Sequence, residues 1–495
     1  MNSVARVVAL CALCSSVVAL ATSPVSAQVE PQESLSCVPA AKPFFHRAWD
    51  ALANVHLDEA RELFAQTVAV DPSCILAWAH LGALTPGANG RKLVDDAVIG
   101  SSGLTEVERL QVMALAAQHR GDNEQALSLL RSALVYDPSS YMVSFAVAQR
   151  AGVLRQWAEM VPPAKHATEL APGRGAAWNL LGYAYVGLQQ HPQAVAALRR
   201  YAAVAPFEPN AHDSLGDALL ANDQLEEAKV AYQRALVSSG GTFWASGHGV
   251  ATVCALEGDW FCARAAIEKA RRTAPSQDDR LKLMEWTAWS YLADDQPGEA
   301  YRAIDELEAD AARLGLESHV ADARLLRGRF LLAQGRYREA LEKLIVLGTA
   351  KFPGFTDAQR QSFDTRRLHG MLEAMARVGN VSEAERTLAQ LRAPMATRPH
   401  DAELNDAVAH GKGLIALQRK NPSAAIAEFA KCSETADACR LDLARAQDVA
   451  GRRDEAMKTR TAIKGANHRD PEYWWVRVRA VQGLEKQREE NRPAF

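Results

Sequence analysis

The apolar positions of this chain fall into pairs of helical stretches parted by short polar turns, and one pair sets the rule. In "AWNLLGYAYVGLQQHPQAVAALRRYAAVAP", residues 177–206, Trp178, Leu181, Gly182 and Tyr185 lie at helical spacing on one face. Ala194, Leu198 and Tyr201 line a second helix that ends before Pro206, with "LQQHPQ" as the turn between them. Gly182 stands inside the first helix although glycine costs about 1 kcal/mol there relative to alanine. Some other requirement must hold it. Thirty-four residues on, the order returns as Leu215, Gly216, Leu219, Ala228, Tyr232 and Ala235.

A small residue followed twelve positions later by alanine recurs along most of the chain. It joins Ala48 to Ala60, Ala114 to Ala126, Ala251 to Ala263, Ala288 to Ala300, Gly328 to Ala340, Gly413 to Ala425 and Ala444 to Ala456, and Leu372 takes the small position before Ala384. A fixed spacing over so many units is a repeat. The order resembles the tetratricopeptide repeat family, whose W-x2-L-G-x2-Y, A-x3-F, A and P series marks a helix-turn-helix of about 34 residues. The resemblance spans about 41–470, some 11 to 12 units, and implies an all-α fold, a right-handed α-solenoid. Gly182 and its equivalents are then expected where one helix presses against its antiparallel mate, leaving no room for a side chain.

Departures from the pattern predict where the array is irregular. Trp78, Leu81 and Gly82 open a unit whose second half diverges, and "TPGANGRKLVDDAVIGSSG", 85–103, predicts a looped insertion over about 85–106 in place of a regular second helix. Pro162 and Pro163 are expected to kink their helix. "SSGG" at 238–241 and "TAKFPGF" at 349–355 are expected to interrupt the stacking, so the blocks read as 41–242 and 243–470 after a short segment 28–40. From 471 to 495 the chain leaves the pattern and turns mostly charged, as a solvated capping helix and tail would.

The first residues read differently. Arg6 precedes the apolar run Val7–Ala21, and Val25-Ser26-Ala27 supplies the small residues of a cleavage site, so 1–27 reads as a secretory signal and the mature chain as periplasmic or secreted. Its apolar core is shorter than the ~20 residues of a membrane span, and no later segment reaches that length without charges. Of eight cysteines, Cys11 and Cys14 fall in the leader. The remaining six suggest three local disulfides, Cys37 with Cys74, Cys254 with Cys262 and Cys432 with Cys439, although buried thiols would also fit.

Charge removes one partner class. With 56 basic and 59 acidic residues, net charge −3 and pI about 6.5, the chain lacks the basic footprint that nucleic acid selects. The 48% hydrophobic content is enough for a large core.

Catalytic patterns are few. Thirteen histidines include no H-E-x-x-H arrangement, and there is no G-x-S-x-G elbow or Walker loop. His248 lies near Cys254 in "GHGVATVCALEG", a pairing that a half-buried histidine and a core cysteine explain equally. "GKG" at 411–413 reads as a repeat glycine beside a solvated lysine, and the acids before each second-helix alanine suit a helix N-terminus. No cofactor or metal site is expected. The enzyme alternative is a carbohydrate-active protein on a helical scaffold, but "GLES" at 315–318 has only the dipeptide of a transglycosylase motif.

What the family resemblance implies is binding of a protein or peptide segment along a concave groove lined by the first helices. Residues one after and three before each small position become its candidates: Asn179 and Tyr183, Asp213 and Asp217, His248 and Thr252, Glu285 and Trp289, Leu325 and Arg329, His369 and Glu373. The set lacks the lysine and paired asparagines with which chaperone-binding members clamp a terminal carboxylate. The expectation is a non-catalytic exported adaptor with its groove side chains outside the core; oligomeric state and partner identity are left open.

Overall fold

Short turns set the architecture, and each paired turn is closed by one residue in the left-handed region. In the computed structural model, which describes residues 33, 35–398 and 401–490, Val55, Arg155, Gln189, Asp223, Asp295 and Lys420 hold φ of 55° to 66° at these turns. Gly121, Gly258, Gly335, Gly379 and Gly451 serve the same role in other turns. Each lies seven positions after its repeat's small residue, as Val55 follows Ala48 and Gln189 follows Gly182. The next amide then reaches back over the turn, as His56 N–H donates to Ala51 O at 2.8 Å and Gln190 N–H to Tyr185 O at 2.8 Å. The expected leader, 1–27, lies outside the described residues.

Contacts divide the chain into two compact units. The first, residues up to Val147 with His166–Pro172, contains α1 (Lys42–Ala53), α2 (Leu57–Val70), α3 (Ile75–Leu84), α4 (Gly87–Gly100), α5 (Glu106–His119) and α6 (Asn123–Tyr136). Helices α7 (Tyr141–Val153) and α8 (Trp157–Leu170) are shared by the two, and α8 runs through Pro162 and Pro163.

The second unit, Ala148–Lys165 with Gly173 onward, continues with α9 (Gly175–Gly187), α10 (His191–Val204), α11 (Pro209–Ala221), α12 (Leu225–Ser238), α13 (Trp244–Glu257), α14 (Trp260–Thr273), α15 (Gln277–Ala293) and α16 (Pro297–Arg313). It ends with α17 (Glu317–Ala333), α18 (Tyr337–Leu347), α19 (Asp357–Arg377), α20 (Val381–Arg392), α21 (Ala402–Gln418), α22 (Pro422–Phe429), α23 (Asp437–Val449), α24 (Arg453–Lys464) and α25 (Pro471–Glu490). No strand occurs among the described residues, and each unit is an all-α solenoid of consecutive helix pairs. The expected division near 240 falls inside the second unit, whose main core takes Tyr232 and Ala251 from either side of it.

The structure supplies the reason for Gly182. A Cβ there would lie 2.4 Å from Leu198 Cγ, because the large side chain sixteen positions on fills the glycine's place. The same sixteen-residue spacing joins Gly216 to Tyr232, Gly328 to Leu344 and Gly413 to Phe429, where the added Cβ would meet the large side chain at 2.4, 2.7 and 2.3 Å respectively. The small position is thus a socket for a side chain of the second helix.

Two expectations are corrected. Residues 85–103 do not form a looped insertion: α4 is a regular helix of 14 residues packed on α3. Glycines allow this, since a Cβ on Gly90 would sit 2.7 Å from Gly82 O and one on Gly82 2.8 Å from Val94 Cγ2. Nor is the C-terminal helix a solvated cap. Tyr473, Trp474, Trp475, Val476, Ala480 and Leu484 of α25 are all buried, the first five within the unit's main core.

In the first unit Phe64 stacks on His80 with ring centroids 4.8 Å apart, and Trp49 meets Tyr141 and Phe145 edge-on. Burial pushes His80 down to about 4. The segment before α1 is pinned by Val38 N–H donating to Asp71 Oδ2 at 2.7 Å and Ser36 N–H to Glu108 Oε1 at 2.7 Å. All three expected disulfides are present: Cys37–Cys74, Cys254–Cys262 and Cys432–Cys439.

Candidate functional site on the inner face of the second unit

Which face of the second unit is concave follows from its packing. Successive first helices, α9 with α11, α11 with α13, and α15, α17, α19 and α21 in turn, touch one another, whereas the second helices stand apart. The first helices therefore line the inside. The array winds far enough to meet itself: Asn467 Nδ2 donates to Asp223 Oδ1 at 2.8 Å, Gln189 bonds Glu434, and α25 packs against α13, α15 and α23.

The predicted register places most of its residues on this face, but the chain's own C-terminal segment covers them. Arg469, just ahead of α25, lies between Asp213 and Asp217, its Nη2 2.9 Å from Asp213 Oδ1 and 2.5 Å from Asp217 Oδ1. Its guanidinium rests over the Tyr232 ring at 4.6 Å, with Nε donating to the Tyr232 hydroxyl and Nη1 to Ala245 O. A second layer orients these acids. Ser246 Oγ donates to Asp213 at 2.7 Å, and the hydroxyls of Tyr183 and Tyr232 donate to Asp217 at 3.1 and 2.9 Å. Burial raises Asp217 to about 6 even with Arg469 beside it, and burial pushes the Tyr183 hydroxyl up as well. Asn179 is half-buried on α9.

Two helices further along, Arg329 of α17 pairs with Glu472 of the returning segment and lies 5.2 Å over the Trp289 ring. Burial raises both Glu285 and Glu472 against the pull of Arg329. Between these anchors Trp474 meets Trp286 edge-on at 5.1 Å and Trp260 at 6.4 Å. His248 abuts Trp286, and burial, aided by Arg469, holds it neutral, well below the ordinary histidine range.

Three register residues are not groove side chains. Trp289 is 1% exposed, Leu325 1% and Thr252 0%. The expectation that Trp289 lies outside the core is wrong: its ring packs on Phe330 of the neighbouring first helix at 4.6 Å and is buried there, unlike the half-buried Asp217, Arg329 and Glu373 at the same position in other repeats. Thr252 spends its hydroxyl on His248 O.

Toward the far end, His369 Nε2 lies 2.8 Å from His410 Nδ1, and His410 Nε2 lies 2.9 Å from Asp442 Oδ2. Arg377 bonds Asp442 and reaches Glu373 at 3.5 Å. Burial, with His410 adjacent, pushes His369 down to about 3. Burial opposes ionisation of Asp442, but His410 and Arg377 outweigh it and keep the carboxyl well below the usual range. His410 sits three before Gly413, so the register carried one unit further would have found it. Arg469 and Glu472 had a weaker signal, the unpatterned aromatics of "HRDPEYWW". Among the described residues no group of three or more His, Cys, Asp or Glu side chains is placed to hold a metal ion.

Paired helices, glycine sockets and an inner face packed against the start of α25 and the turn before it define a helical-repeat scaffold. The tetratricopeptide repeat family's model matches residues 167–242, the stretch that includes Tyr183, Asp213, Asp217 and Tyr232. Among solved structures it is similar to a tetratricopeptide repeat protein of Parabacteroides merdae ATCC 43184, at 14% identity over 55% of this chain and 99% of that one, with a TM-score of 0.40. MamA of Desulfovibrio magneticus RS-1 gives 19% identity over 35% and 98%, with a TM-score of 0.33. PilW, a type IV pilus biogenesis factor, gives 20% identity over 42% and 94%, with a TM-score of 0.35. No curated protein sequence matches the chain. No helix among the described residues is long and apolar enough to cross a membrane.

Proposed function

We propose that this protein is a non-catalytic, exported tetratricopeptide adaptor that holds a segment of another protein along the inner face of its second unit. One observation carries the reading: that face already holds polypeptide, gripping residues 467–475 through ion pairs at Arg469 and Glu472 and an aromatic contact at Trp474 beyond them. Tyr183, Asp213, Asp217, His248, Glu285, Arg329, His369 and Glu373 are the proposed recognition residues, with Asn179 at the edge of the row. The three disulfides and the leader-like residues 1–27 support export, where thiols stay oxidised.

The test is a footprint. A partner recovered from the native envelope and added back to purified protein should slow amide exchange in α11, α13, α15 and α17. Protection confined to the outer second helices, or cleavage of peptidoglycan or glycan by the purified chain, overturns the reading.

A further inference from the structure

The socket around Arg469 is organised by groups that do not belong to the C-terminal segment. Asp213 is fixed by Ser246, Asp217 by Tyr183 and Tyr232, and the Tyr232 ring forms the floor, all of them on α9, α11, α12 and α13. A planar cation with a fork of donors matches two carboxylates over an aromatic face better than an ammonium does. The contacts beyond it fall at fixed steps along the segment, with Glu472 three residues on at Arg329 and Trp474 two further against Trp286.

We propose that residues 467–475 are an internal occupant of the recognition groove, and that the external partner is a segment of the same chemistry: an arginine, a carboxylate three residues later, and a tryptophan two beyond that. The proposal rests on the adaptor reading and specifies its ligand. The external segment also carries apolar side chains beside and after the tryptophan, because it must refill the core space that Tyr473, Trp474 and Val476 leave; with them it replaces each contact it breaks, and displacement costs little beyond the advantage of the tether. A tethered segment competes at an effective concentration on the order of millimolar. The intact chain therefore binds its partner weakly, and loosening the internal anchors strengthens binding by freeing the competent state.

The experiment compares the full chain with its Arg469→Ala/Glu472→Ala variant, using as probe a fluorescent synthetic peptide with the sequence of residues 466–481. The variant is expected to bind the peptide at least about ten-fold tighter than the unaltered chain. Replacing the peptide's own arginine with alanine should abolish that gain, and adding Asp213→Asn and Asp217→Asn to the variant should do the same. Equal binding to both chains, binding that ignores the peptide's arginine, or no binding to either overturns the proposal. So does association of the variant into dimers that exclude the peptide, which would make a second copy the occupant. Should the variant not fold, amide exchange of 466–480 in the unaltered chain under excess peptide decides: acceleration supports displacement and unchanged protection overturns it. A partner that protects α11 to α17 while 466–480 stays closed would leave the adaptor reading standing and this proposal overturned.

Discussion

Gly182 shows how one residue type can be set by a side chain sixteen positions away. Its missing Cβ is filled by Leu198 Cγ, so even alanine is too large at that position. Gly182→Ala should destabilise the second unit by roughly 1–3 kcal/mol, the cost of overpacking. Leu198→Ala in the same chain should recover part of this loss, a coupling that a double-mutant cycle in urea measures. Additive losses would show that the two sites do not share the space. Val55 poses the converse case: a β-branched, 65% exposed residue held at φ 66°, a conformation that glycine adopts without strain. Val55→Gly should raise the stability of the first unit by up to about 1 kcal/mol, read as a higher urea midpoint. Trp289 was placed by register in the groove and by the structure in the core, so Trp289→Ala should cost about 3–5 kcal/mol of fold stability. A variant that melts like the parent protein while losing only its partner would restore the register's placement.

At the scale of elements, the repeating helices were legible because their spacing is enforced by packing. The small residue, the alanine twelve on and the large residue sixteen on all report one helix-helix contact, so 167–242 could be read before any coordinate. Helix α4 was missed because its glycines resemble those of a loop, although Gly82 and Gly90 are there to bring two backbones together. Helix α25 was expected, but its burial was missed for another reason: charged residues on one face hid Tyr473, Trp474 and Val476 on the other, and only the winding of the array brings α13 and α15 to meet them. The groove register singled out Asp213, Asp217 and Arg329 as candidates, but no local pattern could reveal that the side chains they pair with lie more than a hundred residues downstream.

Burial of titratable groups on these elements gives the stability a pH dependence of known sign. His80 has a folded value of about 4 against an ordinary value of about 6.5, so the unfolded chain takes up a proton that the folded one refuses. Its contribution is complete above pH 6.5 and is lost as pH falls from there toward 4, about 2 kcal/mol by pH 5. Melting of the parent protein against His80→Phe at pH 7.5 and pH 5 checks this, and the variant should lose less stability on acidification. In the second unit His369, lowered to about 3, acts in the same direction. Asp217, raised to about 6, acts oppositely: between about pH 6 and 4 the folded state holds a proton the unfolded state lacks, so acidification returns part of the loss.

For the molecule as a whole, the oxidised thiols give the plainest check of where it matures. Mass spectrometry of unreduced protein should show six hydrogens fewer than the reduced chain, two for each of Cys37–Cys74, Cys254–Cys262 and Cys432–Cys439. Free thiols that alkylate without reductant would contradict both the pairing and an oxidising compartment.

The return of the second unit onto itself also changes its mechanics. In an open repeat array each unit touches only its neighbours, so the ends fray first and tension stretches the coil like a spring. Here Asn467 on Asp223, Gln189 on Glu434 and Arg469 on Asp213 join early repeats to the final ones, turning the spring into a buckled hoop. A hoop has no weak end from which to unwind. Under a pulling force it should stay short until the buckle gives way, then lengthen in one large step instead of many small ones.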